Sequence, residues 1–508
     1  MTSNRRATGA RSLLVLGFCG LLALAGCDKG PDTAKTAAEL KTSVENGLAK
    51  LEGSSAQKVL SHSAVTVTPQ NDAYLVAIEG LKIQPAPEGY LDVGTVSYVA
   101  KPKDDKSYEI SSLTVPQTMP FKGADGTEHG KLAMTAKAFS GIWSRELAAF
   151  QKLEGEFADI AATDDKEGDM RVASAKFSGA LTDKGGGLFD SAGNLVLSGF
   201  TAKDTGGGIF SVAETRIDGK YDSVKLNDYQ AAVAKYQELT LKQVAMSEQG
   251  DGTATPTPSL TPEEQKALSD AISTIAASVK GGDFKIALNG LKYSDSSGDP
   301  FSMGALTLGL SLDGVNQDKA SLNFDVAHQD LALSTESVGS PIDQAVLPKS
   351  GNLSLKVTEI PSKDLVKVLA DNLPGIGTSD PTMAEANAMA MVVALEAVLQ
   401  ASGAKIEIAP SQLVSQLIET KADGNFNVTP QSAFGVVGGV NVAIRGIDDL
   451  LALAQQTPDD SDAQQAMGSI QMLQQYSQRE QGADGKPVDK FKIEIDATGQ
   501  FLVNGRPM

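Results

Sequence analysis

One segment occurs twice in this chain, and it constrains the fold more than any other feature. "YLVAIEGLKIQPAPEGYLDVG" (residues 74–94) and "FKIALNGLKYSDSSGDPFSMG" (284–304) both carry alternating apolar residues into Gly-Leu-Lys, then a polar loop. Each then places a strand whose glycine lies 14 residues after the first: Gly80 to Gly94, and Gly290 to Gly304. A looser copy, "NLVLSGFTAKDTGGGIFSVA" (194–213), keeps the interval between Gly199 and Ala213. Apolar pairs recur on the returning arm: Leu91 and Val93, Phe210 and Val212, Phe301 and Met303. "VAIRGI" (442–447) repeats only the first half. Alternation with period two is the mark of a strand with one apolar face. Glycine admits a positive φ or a close backbone approach, so each copy reads as strand, break at glycine, polar loop and returning strand. An apolar face needs something apolar against it: helices, a second sheet or a ligand.

The expected fold is therefore α+β and β-rich, with two related halves of curved antiparallel sheet and packed helices. Residues 61–247 make the first half and 261–508 the second. Between them "SEQGDGTATPTPS" (247–259) crowds Pro, Gly and Thr together and places a linker at 248–260. Further strands are expected at 64–68, 108–115, 131–139, 171–179, 491–496 and 500–505. Helices are expected where apolar residues fall at helical spacing: Leu40, Val44, Leu48 and Leu51; 143–150; 226–246; and Leu268, Ile272, Ile275 and Val279, ended by Gly281-Gly282. That last helix opens with Thr261-Pro262-Glu263-Glu264, a capping box with proline at the first helical position. Ser362 is expected to cap a short helix ending before Pro374. Residues 381–402 form a longer one, apolar almost all round, so expected to be deeply buried or to line a groove. Its acids Glu385 and Glu396 argue against a membrane span. Two more helices are expected at 447–456 and 461–478.

The first residues address a different question. Arg5, Arg6 and Arg11 precede the apolar run 13–25, the arrangement of a secretory signal. It closes on Leu24-Ala25-Gly26-Cys27, one of only two cysteines in 508 residues. This segment resembles the lipobox of bacterial lipoprotein precursors. The resemblance implies that the Cys27 sulfur takes a diacylglyceryl group, that residues 1–26 are cut away, and that the new amine is acylated. Cys19 does not fit, since bulky Phe18 precedes it. Residues 27–60 then carry the anchor, a tether and the first helix. Several acyl chains give lasting membrane attachment where one does not. Asp28 resembles an inner-membrane retention signal, which favours the periplasmic face of that membrane. The strand repeat is similar in style to uncharacterised proteobacterial envelope proteins of the YdgA-like kind. More distantly it resembles AsmA-type proteins, whose strand units build a lipid-facing groove; those families usually keep a membrane-spanning N-terminus.

Composition narrows the remaining choices. The chain carries a net charge of −19, and loss of the three leader arginines makes it −22. Such a chain does not bind nucleic acid through phosphate contacts. No cysteine follows Cys27, so no disulfide is expected and folding rests on burial and backbone pairing. Aromatics are 5% against 50 glycines, which suggests thin layers rather than a thick aromatic core.

No catalytic motif stands out. His62, His129 and His328 lack metal spacing, with the first and last in or beside strands and His129 in a polar loop. Neither a nucleophile elbow nor a phosphate loop occurs, and the acidic runs 164–169 and 294–299 do not follow the calcium-loop order. No cofactor, metal ligand or catalytic residue is expected. The expected function is a non-enzymatic periplasmic lipoprotein that binds or passes a lipid or other apolar envelope molecule. The alternative is an envelope scaffold whose partner is another protein, and an unrecognised periplasmic hydrolase ranks third.

Overall fold

The computed structural model describes residues 37–51, 60–86, 89–147, 149–164, 168–248, 260–295, 301–334, 338–376, 381–456 and 461–507. Leu24, Ala25, Gly26, Cys27, Asp28 and residues 249–259 lie outside them, as do parts of both acidic runs. The chain is mostly antiparallel sheet and divides into two compact units. One is Met1–Val279 with Pro374–Ala384, and the other is Lys280–Leu373 with Glu385–Met508. Among the described residues no helix is long and apolar enough to cross a membrane.

The first unit opens with helix α1 (Ala37–Leu51). Eleven strands follow among its described residues: β1 (Leu60–Ser61), β2 (Ala64–Gln70), β3 (Ala73–Ala86), β4 (Gly89–Asp104), β5 (Ser107–Thr114), β6 (Thr118–Gly123), β7 (Glu128–Ser144), β8 (Ala149–Asp164), β9 (Gly168–Gly185), β10 (Leu188–Lys203) and β11 (Ile209–Lys225). They form an up-and-down meander. β5 and β6 act as one interrupted strand between β4 and β7. β1 and β2 likewise share the edge of β3.

Alternation on these strands points one face at α1. Leu40, Val44 and Leu48 of the helix are buried against Val76, Ile78, Leu81, Ile83 and Val96 of the sheet. Phe157 stacks on Phe177 at 5.9 Å, while Phe150 meets Phe139 and Trp143 edge-on. An aromatic cluster thus sits in this core, contrary to the expectation of small-residue layers. The helix expected at 143–150 is absent. Trp143 is the penultimate residue of β7, a turn follows, and Phe150 belongs to β8, because both rings join the sheet core. His129 also lies in β7 rather than in a loop.

Helices α2 (Leu226–Glu248) and α3 (Pro262–Ser278) pair through Leu239, Leu260 and Leu268. The capping box is formed: Thr261 Oγ1 accepts from the Glu264 amide and the Glu264 side chain accepts from the Thr261 amide. Lys242 of α2 donates to the same Glu264 carboxylate. That contact and the shared leucines place α3 in the first unit, although the expected second half began at 261. Gly281-Gly282 do not end α3, which stops at Ser278; they begin the next strand.

The second unit contains β12 (Gly281–Ser294), β13 (Phe301–Asp313), β14 (Ala320–Gln329), β15 (Ala332–Leu333), β16 (Ser350–Ile360), β17 (Lys405–Val414), β18 (Glu419–Val428), β19 (Val436–Arg445), β20 (Gln478–Gln481), β21 (Pro487–Ile495), β22 (Phe501–Val503) and β23 (Arg506–Pro507). The order β12–β13–β14–β16–β17–β18–β19–β21 is again a meander, with β20 and β22 sharing the other edge of β21. Helix α4 (Pro341–Val346) starts on a Ser340-Pro341-Ile342-Asp343 capping box. Aspartate in place of the usual glutamate hides that box from a sequence reading. Helices α5 (Ser362–Ile376) and α6 (Pro381–Ser402) lead from β16 to β17. Helices α7 (Ile447–Gln456) and α8 (Ser461–Tyr476) lead from β19 to β20. α5 runs through Pro374 instead of ending before it, and Ser362 does not cap it, since its hydroxyl donates to the Val315 carbonyl. α4, α7 and α8 meet around Ile342, Leu450 and Ala454.

Candidate functional site

The repeat glycines are the first candidates, and the register explains their 14-residue interval. The neighbouring pairs Asn289↔Ala305 and Leu291↔Met303 place Gly290 directly across from Gly304. Ser198↔Glu214 and Phe200↔Val212 do the same for Gly199 and Ala213, whereas in the first copy a bulge intervenes and Gly94 pairs with Leu81, one residue beyond Gly80. The strands therefore do not break at glycine as expected; they run through it. Gly80, Gly199 and Gly290 adopt φ of 59°, 64° and 63°, and Gly94 adopts 76°. Gly304 is not left-handed, but a side chain there would meet the Asp330 carboxylate at 2.7 Å.

This line extends beyond the glycines. Asp159 (φ 54°) lies in register with Ala173, and Ala173 with Gly199; Asp330 (φ 53°) lies in register with Gly304. Left-handed residues thus recur across the sheet of each unit: two strands apart at Asp159 and Gly199 and at Gly290 and Asp330, and on adjacent strands at Gly80 and Gly94. A left-handed residue turns the strand over, so inward positions across the line are three apart rather than two. Ile78 and Leu81, and Phe157 and Ile160, are buried in the same core for this reason. The glycines keep long kinked strands apolar on one side.

The second unit uses the same alternation to build a different surface. One cross-strand row reads Phe284, Leu310, Phe324, Leu355, Ile408, Gly424, Val440 and Ile493. The row beside it on that face reads Leu312, Leu322, Val357, Ile406, Phe426, Gly438 and Ile495. The intervening row, on the opposite face, reads Asp283, Ser311, Asn323, Lys356, Glu407, Asn425, Gly439 and Glu494. One face is thus apolar across eight strands and the other polar.

Coverage separates the two units. Beneath α1 the sheet residues Val76 and Val96 are fully buried. On the second unit's apolar face Phe284 stays 45% exposed, Leu310 40% and Phe324 37%, and Leu312 and Leu353 are exposed too. Soluble proteins rarely leave a contiguous apolar patch of this kind without a use for it. Helix α6 is exposed as well: Met389, Val392 and Val393 are each more than half accessible, which overturns the expected deep burial.

The electrostatics leave this face without charge. At the ends of the strands, the Lys363 ammonium beside Asp318 (2.7 Å) and the Lys319 ammonium beside Glu359 hold both carboxyls below the usual carboxylate range. His328 sits in register with Leu306, and its Nε2 lies 3.2 Å from the Pro348 carbonyl. Among the described residues no group of His, Cys, Asp and Glu is arranged to hold a metal. An uncharged apolar face of this kind can exclude water from an apolar partner.

The alternation pointed to an apolar sheet face, but no short motif marks which residues form it or whether it is covered. The signal was there: consecutive strands carry apolar residues at positions that come into register once paired. No protein-family model matches this chain, and neither a curated protein nor a solved structure does.

Proposed function

We propose that this chain is a non-enzymatic, lipid-anchored envelope protein whose second unit binds or passes lipid acyl chains on its apolar sheet face. The observation that carries the reading is the row from Phe284 to Ile493, apolar and in part solvent-accessible. Eight strands at about 4.8 Å spacing give the row a span of roughly 34 Å. That exceeds the roughly 30 Å hydrocarbon core of a bilayer, which two opposed acyl chains fill. A hydrocarbon chain asks for no hydrogen bonds, and this face offers none along its central rows. The lipobox at Leu24-Ala25-Gly26-Cys27 supports the same setting, since acylation of Cys27 would keep the sheet beside a membrane. Asp28 favours the periplasmic face of the inner membrane. The scaffold reading draws its support from the first unit, where α1 already occupies the equivalent face.

Two experiments test the proposal. Labelling of cells with an alkyne fatty acid should mark the wild-type chain and leave Cys27→Ser unmarked. Purified protein should co-purify with phospholipid detectable by mass spectrometry and take up a fluorescent fatty acid saturably. Absence of both lipid and uptake overturns the lipid reading, and an unmodified Cys27 thiol overturns the anchor.

A further inference from the structure

We propose that the first unit holds a separate ligand site. It is the cavity between α1 and strands β3, β4, β5 and β7, which takes a small uncharged apolar molecule with one hydrogen-bond acceptor. The cavity measures about 80 Å³ and every side chain around it is aliphatic or aromatic, two of them the tyrosines Tyr98 and Tyr108, with Leu40, Val44 and Leu48 contributed by α1. Trp143 lines it, 5% exposed, and its indole Nε1 is the only buried side-chain polar atom without a hydrogen-bond partner among the described residues. Phe150 stands edge-on to the indole, ring centroids 4.9 Å apart, and a ring face is at best a weak acceptor. Buried donors are nearly always satisfied, so an orphan beside a cavity points to an absent acceptor.

Water fits this space poorly. A buried water needs two to four polar partners, and beside the unpartnered indole Nε1 the lining side chains carry only the hydroxyls of Tyr98 and Tyr108, residues already engaged in interactions of their own. The volume is about half that of the roughly 150 Å³ apolar cavity known to hold benzene, which indicates a ligand of about three to five heavy atoms. An ionised carboxylate is excluded by the absence of any cation among the lining residues. A small ketone, ether or ester group has the required chemistry. The site differs in unit, size and polarity from the face proposed for acyl chains, and it stands or falls independently of that reading.

Trp143 is the only tryptophan in the chain, so its indole proton gives a single side-chain NMR resonance. Full-length protein would be titrated with 2-butanone and with 2-methylbutane, its isostere without an acceptor. The expected result is a saturable shift of the indole resonance with butanone, and binding about 2- to 10-fold tighter than that of 2-methylbutane. In Trp143→Phe, followed by thermal stabilisation, that preference should vanish. Ala100→Val, which fills the cavity, should abolish the shift; if it does not fold, Trp143→Phe still decides. The absence of a saturable shift, equal affinity for the two probes, or a long-lived water at the indole proton in the free protein would each overturn the proposal.

Discussion

Replacing Gly80 by alanine tests the account of the kinked strands. Its φ of 59° costs a non-glycine residue about 1–2 kcal/mol. The new Cβ would also stand 2.6 Å from Ser63 Oγ, which now donates to the Glu79 carbonyl at 2.9 Å. Displacing that hydroxyl forfeits a further ~0.5–1.5 kcal/mol. Loss of glycine freedom in the unfolded chain returns ~0.4–1 kcal/mol. The net destabilisation is about 2 kcal/mol, or a fall of roughly 4–8 °C in the melting temperature of a unit this size. Trp143, buried in the same core as Ile78 and Leu81, reports unfolding of the first unit by its fluorescence. Gly219→Ala is the control: Gly219 has no positive φ and nothing within 4 Å of its added Cβ, so it should melt within a degree or two of wild type. Removing the steric part with Ser63→Gly should restore some of the loss in Gly80→Ala. If Gly80→Ala melts at or above wild type, or Gly219→Ala loses as much, the left-handed line does not organise these strands.

Three further outcomes follow from the packing and the charges. Phe324→Asp and Leu310→Asp alter side chains more than a third exposed, so circular dichroism should find the fold intact while fatty-acid uptake falls at least ten-fold. Met119→Ala opens a cavity at a fully buried position and should cost about 2–5 kcal/mol in a Trp143-monitored urea titration. The Lys242 hydrogen bond, and then the Thr261 amide, hold the Glu264 carboxyl below its ordinary value of 4.5. The stabilisation they give is therefore complete above that value and is lost as pH falls through the lower, folded one. Urea midpoints of wild type and Glu264→Gln should differ at pH 7 and converge as the pH is lowered through the depressed folded value.

Much of the local structure was legible in the residues. The stripe of α1, the Thr261 capping box, the bounds of α7 and the strand expected at 64–68, which runs on to Gln70, all follow from rules that reach only a few residues along the chain. The misreadings share a cause. Residues 143–150 have helical composition, yet Trp143 and Phe150 are recruited by aromatic neighbours from β7, β8 and β9. The 14-residue interval was visible, but its meaning as a cross-strand pair needed the register. The candidate face was the least legible, because Phe284, Leu355 and Ile493 lie far apart in sequence and meet only through pairing.

By itself the sequence determined that this chain is built of long alternating strands with capped helices between them, because side-chain spacing and caps act locally. It also carried, in Leu24 to Cys27, the residues behind the proposed anchor. Only the tertiary structure decided which apolar faces are covered. Alternation puts side chains on one side of a sheet without saying what lies against them. α1 covers the first unit's face, while α6, the more apolar helix, leaves Met389, Val392 and Val393 in solvent and the second unit's face stays open.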